Sequence, residues 1–163
     1  MGIIIKMCGI SGIFSFEKFN NKQDIKKIVK SLLIDIESRG RDATGLSLIN
    51  SEDDEISVYK KDICATQFIN TKQFHKVFKS IENYNIILLH TRLATHGDEN
   101  KNVNNHPHLN KTNNNVLIHN GVISNYESLK DRFNLKLDSK CDSEAILSLF
   151  NRKKQDIKTT LKF

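Results

Sequence analysis

The 163-residue chain has one proline, seven glycines, three cysteines and no tryptophan. The cysteine count is odd and no two cysteines lie close together, which argues against a disulfide framework and for a reducing compartment, so the cytoplasm is expected. The longest apolar run, Ile86 to Leu89, is far too short to span a bilayer, and residues 1–7 lack the pattern of a secretory signal. No internal repeat and no interdomain linker is visible, so a single domain with its own core is expected. With so few glycines and a lone proline, Pro107, each of them punctuates something.

What the chain does have is ordinary globular composition, 38% hydrophobic and 27% charged, with a net charge of +6. Part of the excess sits at Arg152, Lys153, Lys154, Lys158 and Lys162. No stacking aromatics accompany these cations, so residues 151–163 read as a solvated basic tail and nucleic acid is not an expected partner.

Apolar residues at 25, 28, 29, 32, 33 and 36 fall on one helical face. Phe74, Val77, Phe78 and Ile81 mark a second helix. Met7 to Phe16, Leu46 to Asn50, Ile56 to Lys60, Ile86 to Thr91 and Val116 to His119 read as strands. Ser124 and Glu127 fit a capping box for a helix bearing Tyr126, Leu129 and Phe133, and a further helix is expected over Glu144 to Phe150. The polar stretch between His96 and Val116 reads as loop. Adjacent strands interspersed with helices point to a mixed α and β fold rather than a purely parallel one.

Polar residues follow buried-looking runs in five places: Met7-Cys8-Gly9-Ile10, Ser38 to Gly45, His90 to Gly97, His119 to Asn125 and Cys141 to Glu144; Asn105-His106-Pro107-His108 is a further short motif in the polar stretch. Each is weak alone, since a lone cysteine is usually a small buried hydrophobe and Asn120-Gly121 alone would be a hairpin turn. Taken together and in order they resemble the class II glutamine amidotransferases. The resemblance covers residues 8 to about 146 and implies the N-terminal-nucleophile hydrolase fold. That is an α+β, four-layer αββα sandwich with two antiparallel sheets, here truncated at its C-terminal end.

The resemblance also implies roles. Cys8 attacks the side-chain amide of glutamine, with its own α-amino group, which titrates near pH ~8, as general base. The Asn120 side chain and the Gly121 N–H stabilise the oxyanion. Arg92 takes the substrate carboxylate and Asp142 its ammonium, with Thr95 and His96 completing the pocket wall. Arg39 and Asp42 support the turn beside Cys8. No cofactor is implied. The histidines match no compact zinc spacing, so no metal is expected, and Cys64 and Cys141 read as buried hydrophobes.

Three features depart from the family pattern. Cys8 is preceded by Met7 and not by the initiator alone, so a glutaminase domain over residues 8–150 requires that residues 1–7 be a leader that is removed, or that translation start at Met7. Leu93 stands where tryptophan is frequent. No acceptor-binding domain is present, so ammonia is expected to pass to a site on another chain, either a synthase subunit in trans or a homo-oligomer. With Cys8 unprocessed, the alternative is a non-catalytic glutamine-sensing or scaffold domain of the same fold. Another γ-glutamyl amide as substrate stays open.

Overall fold

A computed structural model describes residues 8–94, 98, 100–110 and 115–152. Four strands, β1 (Gly9–Phe14), β2 (Ala43–Asn50), β3 (Glu55–Lys61) and β4 (Ile86–Arg92), form an antiparallel sheet in the order β1-β4-β2-β3. Strand alternation gives this sheet two different faces. Ile13, Leu46, Leu48, Ile87 and Leu89 project to one side and pack with the aromatic and aliphatic side chains of the helices there. Those helices are α1 (Lys22–Glu37), α2 (Ala65–Phe68) and α3 (Lys72–Val77). They contribute Val29, Leu33, Phe68 and Phe74, and the 3₁₀ turn after α3 adds Phe78 and Ile81. Each such side chain, fully buried, is worth about 1.5–3 kcal/mol, so this layer holds the sheet rigid.

Helix α1 begins where its sequence offers a cap: the Asn21 side chain accepts from Asp24 N at 3.2 Å. Val29 and Leu33 bury fully, as the spacing requires, whereas Ile28 is 46% exposed. The second expected helix is shorter than its period suggests. It stops at Val77 and tightens into a 3₁₀ turn over Phe78–Asn83, kinked at Ser80, which lets both Phe78 and Ile81 reach the core.

A second antiparallel sheet joins β5 (His108–Asn110) to β6 (Asn115–Leu117). The stretch read as loop therefore contains a short strand, and the strand expected at 116–119 ends at Leu117. Two helices follow: α4 (Tyr126–Phe133) and α5 (Glu144–Arg152), of which α5 lies on the second sheet. The expected capping box does not form; the N-cap is Asn125, with no side-chain cap bond, and α4 ends at Asn134 in the left-handed region (φ 45°). Leu129, Leu135, Ala145 and Leu149 make a second, smaller core.

The sheets meet at one end. A Cβ on Gly45 of β2 would lie 2.0 Å from His106 O, so only glycine lets the Asn105–Pro107 backbone rest on the first sheet. Lys60 of β3 donates to Asn105 O at 2.5 Å and to Pro107 O at 3.0 Å. The result is a helix–sheet–sheet–helix order in an α+β chain with two antiparallel sheets, in agreement with the expected sandwich. Among the described residues no helix is long and apolar enough to cross a membrane.

Candidate active site

The end of β4 gathers the reactive groups. β1 pairs antiparallel with β4 in a register that sets Gly9 opposite Thr91, which brings Cys8 alongside Arg92 and Leu93. Gly9 has no room for a side chain: a Cβ there would sit 2.5 Å from Thr91 Oγ1 and 2.7 Å from Ile36 Cβ. The Cys8 thiol lies against one backbone unit, accepting from Leu93 N at 3.3 Å and donating to Leu93 O at 3.5 Å. Burial pushes this thiol above its ordinary range, against the opposing pull of the Leu93 N–H and the Arg92 charge.

The turn after α1 locks this arrangement. Arg39 Nε donates to Cys8 O at 3.1 Å. Asp42 N donates to Arg92 O at 3.0 Å, and the Asp42 carboxylate accepts from Ala94 N at 2.8 Å. Between them Gly40 lies flat on the peptide that carries the Leu93 N–H; a Cβ would be 2.4 Å from Arg92 C and 2.5 Å from Leu93 N. Arg39, Gly40 and Asp42 thus clamp the backbone on both sides of the cysteine contact.

Arg92, the last residue of β4, is 3% exposed, and its Nη1 donates to Asn105 Oδ1 at 2.6 Å. Burying a guanidinium is costly unless it is hydrogen-bonded, and the Asn105 amide oxygen meets part of that need. Asp142, also buried, accepts from Ile123 N at 2.5 Å and from Ser143 Oγ at 3.4 Å. It is therefore tied to the turn that carries Asn120 and Gly121. That turn is anchored to β4 as well: His90 Nε2 bonds His119 O at 3.1 Å, and His119 Nδ1 pairs with Ser143 Oγ at 3.0 Å. Gly121 packs on the His119 ring, where a Cβ would be 2.8 Å from Nε2. Asn120 and Gly121 are half-buried.

The structure thus brings Cys8, Arg39, Asp42 and Arg92 together at the β4 end, and ties the Asn120–Gly121 turn and Asp142 to that strand through His90, His119 and Ser143. Thr95 and His96 lie outside the described residues, as does the tail beyond Arg152. Cys141 is buried as expected, while Cys64 is half-buried. Sequence reasoning gave no role to Asn105, although its motif was visible; its bond to Arg92 crosses a loop that no periodicity reveals. It also missed the packing of His106 on His90, ring centroids 4.3 Å apart, and on His108, 4.6 Å apart.

A half-buried cysteine at a strand end, a buried arginine beside it and an Asn-Gly turn tied to the same strand through His90 make up the candidate site. The profile of the family described as "Glutamine amidotransferase domain" matches residues 76–162, and the chain belongs to this family, in its class II branch. Among curated proteins the chain is similar to glutamine–fructose-6-phosphate aminotransferase (isomerizing) of Clostridium acetobutylicum, with 35% identity over 88% of this chain and 22% of that protein. The same enzyme of Geobacillus kaustophilus is 31% identical over 94% of this chain and 24% of its own length. That of Campylobacter jejuni is 33% identical over 88% and 22%. The chain therefore spans less than a quarter of the length of these relatives.

Proposed function

We propose that residues 8–150 form a glutaminase domain that hydrolyses the glutamine side-chain amide to glutamate and ammonia through a Cys8 thioester. The single observation that carries this reading is the seat of the Cys8 thiol, 3.3 Å from the Leu93 N–H and next to buried Arg92. Arg92 receives the substrate α-carboxylate and Asp142 the α-ammonium, a cation and an anion for a zwitterion. Thr95 and His96 complete the pocket wall.

The thiol attacks the amide carbon while its proton passes to the Cys8 α-amine. The tetrahedral oxyanion accepts hydrogen bonds from the Asn120 side-chain amide and the Gly121 N–H; one such donor is worth about 100- to 1000-fold in rate. The C–N bond breaks as the α-ammonium returns its proton to the leaving nitrogen, which departs as ammonia. Water then cleaves the γ-glutamyl thioester, freeing glutamate and the thiol.

Because burial holds the thiol protonated near neutral pH, the step needs a base, and the α-amine serves only once residues 1–7 are gone. With the Met7–Cys8 peptide bond intact the same raised thiol is inert, and the domain then binds glutamine without turning it over. Ammonia passes to an acceptor site outside these residues; the name shared by the relatives points to a sugar phosphate as acceptor. Intact mass, read beside ammonia release, tests this: protein beginning at Cys8 is expected to turn over glutamine, and protein retaining Met1 is not. Turnover by the unprocessed chain would refute the role given to the amine.

A further inference from the structure

The segment leading into β5 holds more imidazole than the glutamine chemistry uses. His106 and His108 are each 4% exposed. Among the described residues, neither ring nitrogen of His106, nor Nε2 of His108, has a hydrogen-bond partner. A buried polar group left in that state costs about 1–3 kcal/mol. Facing them is Cys141, 3% exposed, whose Sγ lies 3.8 Å from Asp142 Oδ1 and is also hydrogen-bonded by the Ser143 backbone and hydroxyl. One donor atom from each of the three residues falls within 4.8 Å of the other two.

Two imidazole nitrogens and one sulfur, with no carboxylate among them, form a borderline-soft donor set. It suits zinc and is wrong for calcium or magnesium, which take oxygen ligands. We propose that His106, His108 and Cys141 bind Zn²⁺, clipping the segment before β5 to the turn before α5. The site goes beyond the glutaminase reading and does not rest on it.

The geometry needs only a small adjustment. Zn–N bonds of about 2.0 Å and a Zn–S bond of about 2.3 Å put tetrahedral ligand atoms roughly 3.3–3.7 Å apart. Closing the spacing by up to about 1.5 Å suffices, and no hydrogen bond of the His106 ring has to break, although the Ser143 bonds to Cys141 Sγ have to adjust. Three protein ligands leave a fourth position for solvent.

Burial keeps both imidazoles neutral, His108 down to about 3, so their nitrogens are free to ligate. Lys60 and Arg92 are the cations nearby, and they oppose a divalent ion. Against them, metal binding expels one proton from the Cys141 thiol to solvent and leaves a thiolate in the site. Lys60 is itself pushed down to about 8, chiefly by burial.

Cobalt(II) makes the test spectroscopic. The full chain, without an affinity tag, carries Cys8→Ala and Cys64→Ser, so that of its three cysteines only Cys141 remains. Addition of Co²⁺ is expected to give a thiolate-to-cobalt charge-transfer band and the intense visible absorption of a four-coordinate ion. Both should saturate at one equivalent and be abolished by Zn²⁺. His106→Gln should weaken binding at least about tenfold, the lower end of what loss of even an outer-shell partner costs. Absence of the charge-transfer band, or an affinity unchanged by His106→Gln, would overturn the site. Because the first of these readings needs no substitution in the cluster, misfolding of a cluster variant does not protect the proposal.

Discussion

At the residue scale, the Cys8 contact depends on two small residues as much as on the cysteine. Gly40 rests on the Arg92–Leu93 peptide with backbone atoms, not flexible side chains, at 2.4 and 2.5 Å from where a Cβ would be. Nothing there can yield cheaply, so Gly40→Ala should move the Leu93 N–H away from Cys8. We expect a loss of about 1–3 kcal/mol in stability, read by denaturant titration, as for other overpacked sites. We also expect a fall in glutamine turnover larger than the fall in folded fraction. Retention of full turnover would show that the Leu93 contact is incidental. Cys8, Arg92, Asn120, Gly121 and Asp142 could be proposed from the sequence because each sits in a short motif with its own chemistry. Asn105, His106 and His108 lay in a visible motif too, but what they touch depends on how a polar loop returns to the sheet, and local sequence does not encode that. The Cys8 thiol also sets a pH expectation. A thiol raised by burial and a base titrating near pH ~8 make turnover rise from pH 6 toward 8, and a profile flat across that window would point to a different base.

At the element scale, the join between α1 and α2 has a single charged fastening. Glu37, the last residue of α1, accepts from Thr66 N at 2.5 Å and from Thr66 Oγ1 in the first turn of α2, and pairs with Arg41 at 3.1 Å. Burial alone would raise this carboxyl, but the Thr66 bonds and Arg41 outweigh it and hold it below the usual carboxylate range. A depressed carboxyl stabilises the fold above its unfolded pKa and loses that contribution as the pH falls through the folded value. Glu37→Gln should therefore lower stability by about 1.5–3 kcal/mol at pH 7, the range for a charge-assisted bond. The gap from the parent protein should narrow in acid, below pH ~4, as thermal melts across pH would report; a gap independent of pH would mean that the charge plays no part.

Which elements could be read in advance follows from their length. Helix α1 announces itself over several turns of periodic apolar residues, and β2, β3 and β4 through their alternation or apolar content. Strand β5, three residues long in a polar stretch, carries too short a pattern to register. The Ser124–Glu127 capping box shows the opposite failure, a local signal overruled when Asn125 starts α4 one residue later.

At the scale of the whole molecule, one helical layer and the four-stranded sheet make the base, and the second sheet with α5 joins it through the Gly45 and Lys60 contacts. The base is tied across its far end by Tyr84, whose hydroxyl donates to Glu55 Oε1 at 2.9 Å. Burial, reinforced by Glu55, raises the phenol from 10.0 to about 12. A group raised in this way stabilises the fold below its unfolded pKa, and the contribution is lost as the pH climbs through the folded value. The parent should lose stability relative to Tyr84→Phe between pH 10 and 12; parallel curves in that range would show that the hydroxyl is not coupled to folding. The layer order was legible because motif order and strand–helix alternation both pointed to it, whereas the placement of the second sheet rests on Gly45 and Lys60 contacts with no local signature. The claim that governs the rest is that Cys8 acts as a nucleophile from the first position of the chain. Ammonia release from glutamine, measured on protein whose intact mass begins at Cys8 and on its Cys8→Ala counterpart, tests it most directly. Turnover in the first and only background in the second is the expected result; equal release from both would contradict it.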